Sequence, residues 1–217
     1  MFRTFLMTFL PAVLAGQSLS LTDIAKLEPR DVAAQATSHK GLACVRLTQL
    51  PGREGNFSAA LKGVSFHNGA IDVDVAGLPA AGAGEGARGF IGISFRVSAD
   101  GSHYENFYIR PTNGRADDQL RRNHSTQYIS APDWPWERLR KETPGLYESY
   151  ADMVPGEWTH LKIVVNGTGA SLFVGNAPQP CLLVHDLKLG DTTGGVALWI
   201  GPGTQGYFRN LAIHAER

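Results

Sequence analysis

Short alternating segments, separated by turn residues, are the feature that most restricts the fold of this chain. From residue 42 to residue 214, apolar side chains recur at every second position in runs that end at Gly, Pro, Asn or Asp. This period is that of a β-strand, in which successive side chains point to opposite faces. The segments predicted to be strands are 42–48, 57–66, 69–76, 89–98, 103–110, 158–165, 169–174, 181–187, 194–200 and 206–214.

Many short strands and few helices predict an all-β fold, a two-sheet antiparallel β-sandwich, rather than an α/β fold. The dipeptide Asn166–Gly167 lies between "WTHLKIVV" and "ASLFV", which is a direct signal for a β-hairpin. The segment "LTDIAKLE" predicts one short helix, capped by Thr22 or Asp23. A length of 217 residues suits a single domain of this kind.

The first residues, "MFRTFLMTFLPAVLAGQS", have the pattern of a secretory signal peptide. Arg3 precedes an apolar run that ends in small residues, and cleavage is expected near Ala15 or Gly16. The prediction is a signal peptide at 1–16 and a mature domain at 17–217, secreted or periplasmic, with no membrane insertion after cleavage. An uncleaved N-terminal anchor is the alternative, although the apolar run is short for a membrane span.

The charge balance argues against polyanionic partners. The chain has 20 Lys and Arg against 20 Asp and Glu, for a formal net charge of +0. Overall electrostatics therefore give it no reason to bind nucleic acid or an anionic membrane.

Two cysteines, Cys44 and Cys181, both lie in apolar strand-like runs. In an oxidising compartment they can form one disulfide, and two buried free thiols are the alternative. The sequence does not decide between these, because it does not place the two Cα atoms within bridging distance. No CxxC or HxxxH motif accompanies them, so they do not predict a metal site.

Residues 111–157 interrupt the strand pattern for longer than is usual for a loop in a compact domain. The segment follows "YIR" and opens with an arginine-rich stretch, "PTNGRADDQLRRNH". Burial of its aromatic rings can offset the entropy of ordering it, so it is predicted to lie ordered against one sheet. Within it, "DWPWERLRKE" predicts one or two helical turns, with Asp133 near the cap and a Glu137–Lys141 pair. The aromatic residues are Tyr128, Trp134, Trp136, Tyr147 and Tyr150.

The alternation also assigns side chains to faces. In 69–76, for example, the residues at 71, 73 and 75 are apolar and those at 72 and 74 are aspartates. Segments 69–76, 89–98 and 103–110 are consecutive, which makes them plausible neighbours in one sheet. The long segment that begins at Arg110 can then wall a groove across that sheet. The outer face of such a sheet would carry Asp72, Asp74, Arg96, Asn106, Tyr108, Arg110 and Trp199.

The phrases "PGEWTHLKIVVNGTGASLFVGN" and "GGVALWIGPGTQGYFRNLAIH" carry a resemblance to the concanavalin A-like lectin/glucanase superfamily. The laminin-G-like members are the most similar, and the likeness covers roughly residues 40–214. It implies a curved jelly roll, often with a carbohydrate groove on its concave face. The superfamily includes lectins, glycan hydrolases, lyases and adhesion modules, so the likeness leaves the function open.

The resemblance also raises the question of a structural Ca²⁺, which superfamily members often hold. Asp100 and Asp191, with nearby loop carbonyls, are the nearest ligands that the sequence offers. Ca²⁺ takes 6–8 oxygens, which no local run provides, and turn chemistry accounts for both aspartates. No cofactor is therefore predicted, and calcium stays a minor alternative.

The leading hypothesis is an exported carbohydrate-recognising module that binds a glycan on the concave sheet face, where the predicted polar residues would lie. Trp199 and Tyr108 offer flat rings for the C–H faces of sugars, and the polar groups offer hydrogen bonds to hydroxyls. Several arginines would suit an acidic glycan. The alternative is that the same polar groups form an ion-pair network beneath the long segment.

A glycoside hydrolase or other glycan-degrading enzyme is the second hypothesis, with Asp72 and Asp74 as candidate catalytic carboxylates. Laminarinase-like members of the superfamily carry a Glu-x-Asp-x-x-Glu strand, and "AIDVDVAG" lacks both glutamates. His124 is a further weak candidate, as a general base. The missing glutamates weigh against catalysis. A protein-interaction (adhesion) domain is the third hypothesis.

Overall fold

The computed structural model describes residues 17–55 and 57–216 of the chain. The predicted signal peptide at 1–16 lies outside the described residues. The described chain folds into two antiparallel sheets that pack face to face, which confirms the predicted β-sandwich. No helix in this described part is long and apolar enough to cross a membrane.

Sheet A contains eight strands. Seven form a continuous ladder, and the short strand β1 (Gln17–Leu19) pairs with β15 beside it. In spatial order the seven are β13 (Leu182–Val184), β12 (Gly169–Val174), β11 (Thr159–Asn166), β6 (Gly69–Pro79), β15 (Thr204–Ala215), β4 (Leu42–Gln49) and β3 (Val32–His39).

Sheet B contains seven strands. Its two outermost strands on one side come from the long segment after residue 110. In spatial order the seven are β10 (Glu148–Ser149), β9 (Thr126–Ala131), β8 (Tyr104–Ile109), β7 (Ile91–Val97), β14 (Gly195–Ile200), β5 (Phe57–Leu61) and β2 (Leu27–Arg30).

All ten predicted strands are present, although the strand in 57–66 ends at Leu61. The Asn166–Gly167 hairpin is confirmed: Asn166 pairs with Gly169, and Gly167 has φ +56°, which suits glycine. Sequence patterning missed β1, β2, β3, β9 and β10. β3 is an edge strand with mainly exposed small or polar residues, so it lacks the apolar alternation that marks a strand.

The two predicted helices are present, but each is shorter than the segment in which it was predicted. "LTDIAKLE" contains a single turn of 3-10 helix at Ile24–Lys26, and the Asp23 side chain makes no capping hydrogen bond there. In the long segment, α3 spans Trp136–Glu142 with Pro135 at its N-cap. Asp133 lies near this cap, as predicted, but no side chain makes a capping hydrogen bond there. The exposed ion pair on α3 is Arg138–Glu142, at 2.8 Å between Nε and Oε1, and not the predicted Glu137–Lys141.

The long segment is ordered, as predicted, but it does more than lie against a sheet. Its strands β9 and β10 extend sheet B, and its three helices lie around them. Helix α1 spans Pro111–Gly114, and α2 spans Gln119–Asn123 with its first turn capped by the Asp118 carboxylate, 2.7 Å from the Arg121 N–H. The segment therefore builds the edge and the rim of sheet B.

The core fills the space between the sheets with the apolar residues that the alternation predicted. Ile71 and Val73 from sheet A and Ile93 and Phe95 from sheet B are fully buried in one cluster. Because strand side chains alternate, residues 72 and 74 and residues 92 and 94 must point away from this core. The two outer faces of the sandwich are therefore distinct surfaces.

Cys44 and Cys181 are free thiols, so the disulfide alternative is not the one that forms. Cys44 lies on β4, and Cys181 directly precedes β13 near the far edge of sheet A. β13 lies five strand spacings from β4, which at about 4.8 Å per spacing is roughly 24 Å. A disulfide needs Cα atoms within about 7 Å.

Candidate functional site

The polar residues that were predicted to share one face lie on two different faces, so that prediction is wrong. Asp72 and Asp74 project from β6 in sheet A, whereas Tyr108 and Trp199 project from β8 and β14 in sheet B. The cause is the connection after β6. The chain crosses there from sheet A to sheet B, so two strands consecutive in sequence are not neighbours in one sheet.

Asp72 and Asp74 form a polar cluster around His160 on the outer face of sheet A. His160 Nδ1 lies 2.9 Å from Asp74 Oδ1, and its Nε2 lies 3.2 Å from Asp72 Oδ1. Asn210 donates a hydrogen bond to Asp74 Oδ2 at 2.7 Å. The two carboxylates are thus held by neighbouring strands of their own sheet and lie across the sandwich from the cavities described below.

Arg96, also predicted to bind ligand, is 2% exposed and serves a structural purpose. It has φ +51° at the end of β7, next to a register shift in the pairing with β14. Its guanidinium donates to the carbonyls of His67, Gly167 and Gly190, with Nη2–O distances of 3.1 Å for His67 and 2.7 Å for Gly167. Arg96 therefore ties three loops together at one end of the sandwich.

An open cavity, here called the aromatic cavity, lies on the outer face of sheet B. Its volume is about 480 Å³, within the range of roughly 300–1,000 Å³ that ligand pockets occupy. Trp199 and Tyr108 are 8% and 2% exposed and form its floor, while Trp136 on α3 is 38% exposed and forms its rim. Phe90 and the Gly/Ala-rich loop before β7, residues 80–89, form part of the wall.

Gly92 explains why two large rings can meet on this face. It pairs with Tyr108 on one side and with Trp199 on the other, and the two ring centroids are 4.9 Å apart above it. A Cβ at position 92 would lie 2.7 Å from Tyr108 Cβ, which is too close. The glycine therefore leaves room for a continuous aromatic floor.

A second cavity of about 430 Å³, here called the arginine cavity, adjoins the first and shares Gly86, Phe90 and Trp136 with it. Among the described residues, Asp118 is the only carboxylate in its wall. The aromatic cavity and the arginine cavity together form one groove. The long segment walls this groove, as the sequence predicted. The arginines of this wall are Arg88, Arg110, Arg121 and Arg140.

Arg110 is the most buried of these arginines, at 5% exposed, and neutral groups hold it in place. Its Nη2 donates to the Tyr108 hydroxyl at 2.9 Å and to Gln127 Oε1 at 3.2 Å, and its Nη1 donates to the His124 carbonyl at 2.9 Å. Burial lowers the pKa of Arg110 and raises the pKa of Tyr108 to about 12. An arginine nevertheless keeps its charge at neutral pH, so a fixed positive charge borders the aromatic floor.

His124 and Glu148 meet where the arginine cavity opens into a third cavity of about 640 Å³. His124 Nε2 lies 3.1 Å from Glu148 Oε1, and Arg140 Nη2 donates to Glu148 Oε2 at 2.6 Å. Burial lowers the pKa of His124, against the opposing effect of Glu148. A neutral His124 that carries its proton on Nε2, facing Glu148, presents Nδ1 as an acceptor.

Asn106 lines neither of the first two cavities. It is 0% exposed on β8, and neither of its side-chain polar atoms has a hydrogen-bond partner among the described residues. Of the seven predicted ligand-binding residues, the groove therefore brings together Tyr108, Arg110 and Trp199.

Several solved structures share this fold. The carbohydrate binding module CBM66 from Bacillus subtilis matches with a TM-score of 0.59 and 12% identity, covering 86% of this chain and 93% of that chain. A putative glycosyl hydrolase from Parabacteroides distasonis matches with a TM-score of 0.59 and 12% identity, covering 92% and 100%. A Bacillus subtilis protein of unknown function with a galectin-like fold matches at 0.55 and 10% identity, covering 91% and 94%.

These similarities confirm the two-sheet antiparallel β-sandwich that the sequence predicted, whereas membership of the lectin/glucanase superfamily stays a prediction. At such low identity they establish the fold alone. No protein-family model matches the sequence, and no curated protein matches it either. The narrower likeness to laminin-G-like members stays a prediction.

Several residues that line the groove were not among the predicted ligand-binding residues. Trp136 was interpreted as a ring that helps to order the long segment, whereas it forms the wall shared by the two cavities. Arg88 comes from the loop before β7 and Arg121 from α2, so neither lies on a strand. The density of arginines after residue 110 was the available signal, but alternation assigns faces only within strands.

The prediction of no cofactor, with structural calcium as the minor alternative, is also untested. Asp100 Oδ1 accepts hydrogen bonds from the Ser98 hydroxyl at 2.6 Å and the Ser102 N–H at 3.0 Å, as expected for a turn. Asp191 lies 2.6 Å from His67 Nε2. Within 17–55 and 57–216, no group of three or more His, Cys, Asp or Glu side chains is arranged to hold a metal ion.

Proposed function

We propose that this chain is an exported carbohydrate-recognising module that binds a glycan in the groove on the outer face of sheet B. The observation that carries the proposal is the aromatic cavity, in which Phe90, Tyr108, Trp136 and Trp199 surround a site of about 480 Å³. Sugar rings present apolar C–H faces that pack on aromatic rings, and their hydroxyls bond to guanidinium groups at the edge. The predicted signal peptide supports a location outside the cytoplasm.

Trp136→Ala tests this proposal. The ring is 38% exposed, so its removal should leave the fold intact while it deletes the rim of the aromatic cavity. Truncation of an aromatic anchor in a binding site costs on the order of 2 kcal/mol, which is about 30-fold in affinity. A glycan array should identify the ligand, and titration calorimetry should measure the loss.

Trp158→Ala is the matched control, because Trp158 packs on the outer face of sheet A with Tyr207 and Cys44. It should leave glycan affinity unchanged. Equal affinity in the Trp136→Ala variant, or no glycan bound by the wild type, would reject the groove as a carbohydrate site.

A second candidate function, glycan cleavage, is favoured by the contact between His124 and Glu148 at the edge of the arginine cavity. Glu148 can orient the imidazole, and Nδ1 can then take a proton, as a general base, from a water molecule that attacks the anomeric carbon. The glycosidic bond breaks, and its oxygen leaves with a proton from solvent. Asp72 and Asp74 lie on the other sheet and bond to His160, so the arrangement does not support the hydrolytic role predicted for them.

His124→Gln should reduce the release of reducing ends from a cleaved polysaccharide by about 100-fold or more, as loss of a general base does. Binding of the same glycan should persist. His185→Gln, at an exposed histidine outside the three cavities, is the control and should cleave normally. If wild-type protein releases no reducing ends from any glycan that it binds, this second candidate is rejected and recognition alone remains.

A further inference from the structure

The charge of the arginine cavity is not balanced by the protein. Ion pairs hold several arginines of the long segment, including Arg115 with Asp152 and Arg140 with Glu148. By contrast, Arg88, Arg110 and Arg121 have no carboxylate within 4.0 Å among the described residues. Asp118, the acid in the cavity wall, is occupied as the cap of α2. Three guanidinium charges therefore face one cavity without a counter-ion from the chain.

Neutral acceptors hold the guanidiniums of Arg110 and Arg121 in place and leave some of their N–H donors free. Arg121 donates through Nε to Asn113 Oδ1 at 2.9 Å and through Nη2 to Thr112 Oγ1 at 3.2 Å. Arg110 uses Nη1 and Nη2 on neutral partners, as described above. A guanidinium has five N–H groups, so each still has donors for which the described residues supply no acceptor.

Arg110 is buried and Arg88 and Arg121 are half-buried, so three guanidinium charges without a counter-ion are costly unless a ligand completes the site. A charged group removed from water loses solvation that only an opposite charge or hydrogen bonds can restore. A planar anion with two oxygens matches the fork of a guanidinium, which is why arginine recognises carboxylates and related oxyanions. The positions of these arginines are set before a ligand arrives, and such preorganisation strengthens binding.

We infer that the arginine cavity is the subsite for an acidic sugar unit, whose carboxylate or sulfate group binds Arg88, Arg110 and Arg121. This inference rests on the proposed glycan-binding function and specifies its substrate class. The aromatic cavity shares Trp136 with the arginine cavity, so the neighbouring sugar unit of the same chain stacks on the aromatic floor. The ligand is therefore an acidic polysaccharide that spans both cavities.

The test measures calorimetric affinities of the full mature chain for oligouronides, for the same oligouronides with their carboxylates reduced to alcohols, and for sulfated galactan oligosaccharides. We expect an acidic oligosaccharide to bind at least tenfold more tightly than its neutral counterpart, with an affinity that falls as salt rises. Preference for the oligouronide identifies the anion as a carboxylate, and preference for the galactan identifies it as a sulfate.

The double variant Arg88→Gln/Arg121→Gln assigns the effect to the cavity. It should lose about tenfold or more in affinity for the acidic oligosaccharide and clearly less for the neutral one, because a hydroxyl makes weaker hydrogen bonds to a guanidinium than a charged group does. Arg115→Gln removes an exposed arginine of the same segment, paired with Asp152 outside the cavity, and should change neither affinity.

The outcomes separate this inference from the proposed function. Binding that depends on Trp136 but is equal for acidic and neutral oligosaccharides overturns the acidic subsite and keeps the carbohydrate module. An acidic preference that survives the double variant also overturns the assignment to this cavity. Failure of every glycan to bind rejects both.

Discussion

Replacement of Arg96 by alanine should lower the free energy of unfolding by about 3–5 kcal/mol, the usual cost of removing one partner from a buried charged network. The guanidinium is buried and donates to the carbonyls of His67, Gly167 and Gly190. Without it these carbonyls lose their partner, and each unsatisfied buried acceptor costs about 1–3 kcal/mol. Three loops at one end of the sandwich would then separate.

Denaturant unfolding measures this effect, and two variants calibrate it. Arg53→Ala removes an exposed arginine that lies 3.6 Å from Asp31 and should cost less than about 1 kcal/mol. Arg96→Lys keeps the charge but not the planar fork, so its loss should be intermediate. A loss below 1 kcal/mol for Arg96→Ala would show that the loops do not depend on this guanidinium.

Arg96→Ala also tests the sequence-based prediction that Arg96 binds the ligand. Arg96 lines neither the aromatic cavity nor the arginine cavity. The fraction of Arg96→Ala protein that remains folded should therefore bind glycan with unchanged affinity. A selective loss of affinity in folded protein would instead support the original assignment.

The architecture was predictable from the sequence because it depends on local pattern. Alternation within 69–76 and 89–98 correctly placed Ile71, Val73, Ile93 and Phe95 in the core, since the two faces of a strand follow from its geometry alone. The hairpin at Asn166–Gly167 followed from turn chemistry in the same way. Both inferences needed only neighbouring residues.

The site was less predictable because it depends on which strands pair. Asp74 and Tyr108 were both correctly placed on outward faces, but β6 pairs with β11 and β15, whereas β8 pairs with β7 and β9. Periodicity carries no information about that choice, which is decided by long-range packing. The groove also draws Arg88 and Trp136 from a loop and a helix, where a period of two does not apply.

Glu105 provides the second large expected effect, because it is a carboxyl group within the core side of sheet B. It is 0% exposed, accepts the Tyr128 hydroxyl at 2.6 Å through Oε2, and accepts the Leu189 N–H at 2.7 Å through Oε1. The Tyr128 hydroxyl in turn accepts the Lys188 N–H at 2.9 Å. Glu105→Ala would leave these groups without their partner and should cost about 3–5 kcal/mol in the free energy of unfolding.

The raised pKa of Glu105 also predicts the direction in which the free energy of unfolding changes with pH. Burial is the main cause that raises the pKa of Glu105, while its hydrogen bonds to Tyr128 and Leu189 oppose the shift. Above the ordinary glutamate pKa of about 4.3, the unfolded chain therefore loses the proton before the folded protein does. Because the folded state then binds more protons, the stability that Glu105 contributes falls as pH rises from that value through the raised pKa.

Glu105→Gln isolates this titration, because glutamine keeps an oxygen for the Leu189 N–H and does not ionise. The free energy of unfolding of the wild type minus that of Glu105→Gln should decrease as pH rises through this window. Tyr128→Phe, which removes one hydroxyl partner, should cost less than Glu105→Ala. A difference between wild type and Glu105→Gln that increases with pH would mean that the folded protein holds Glu105 ionised, with Arg96 nearby as the balancing charge.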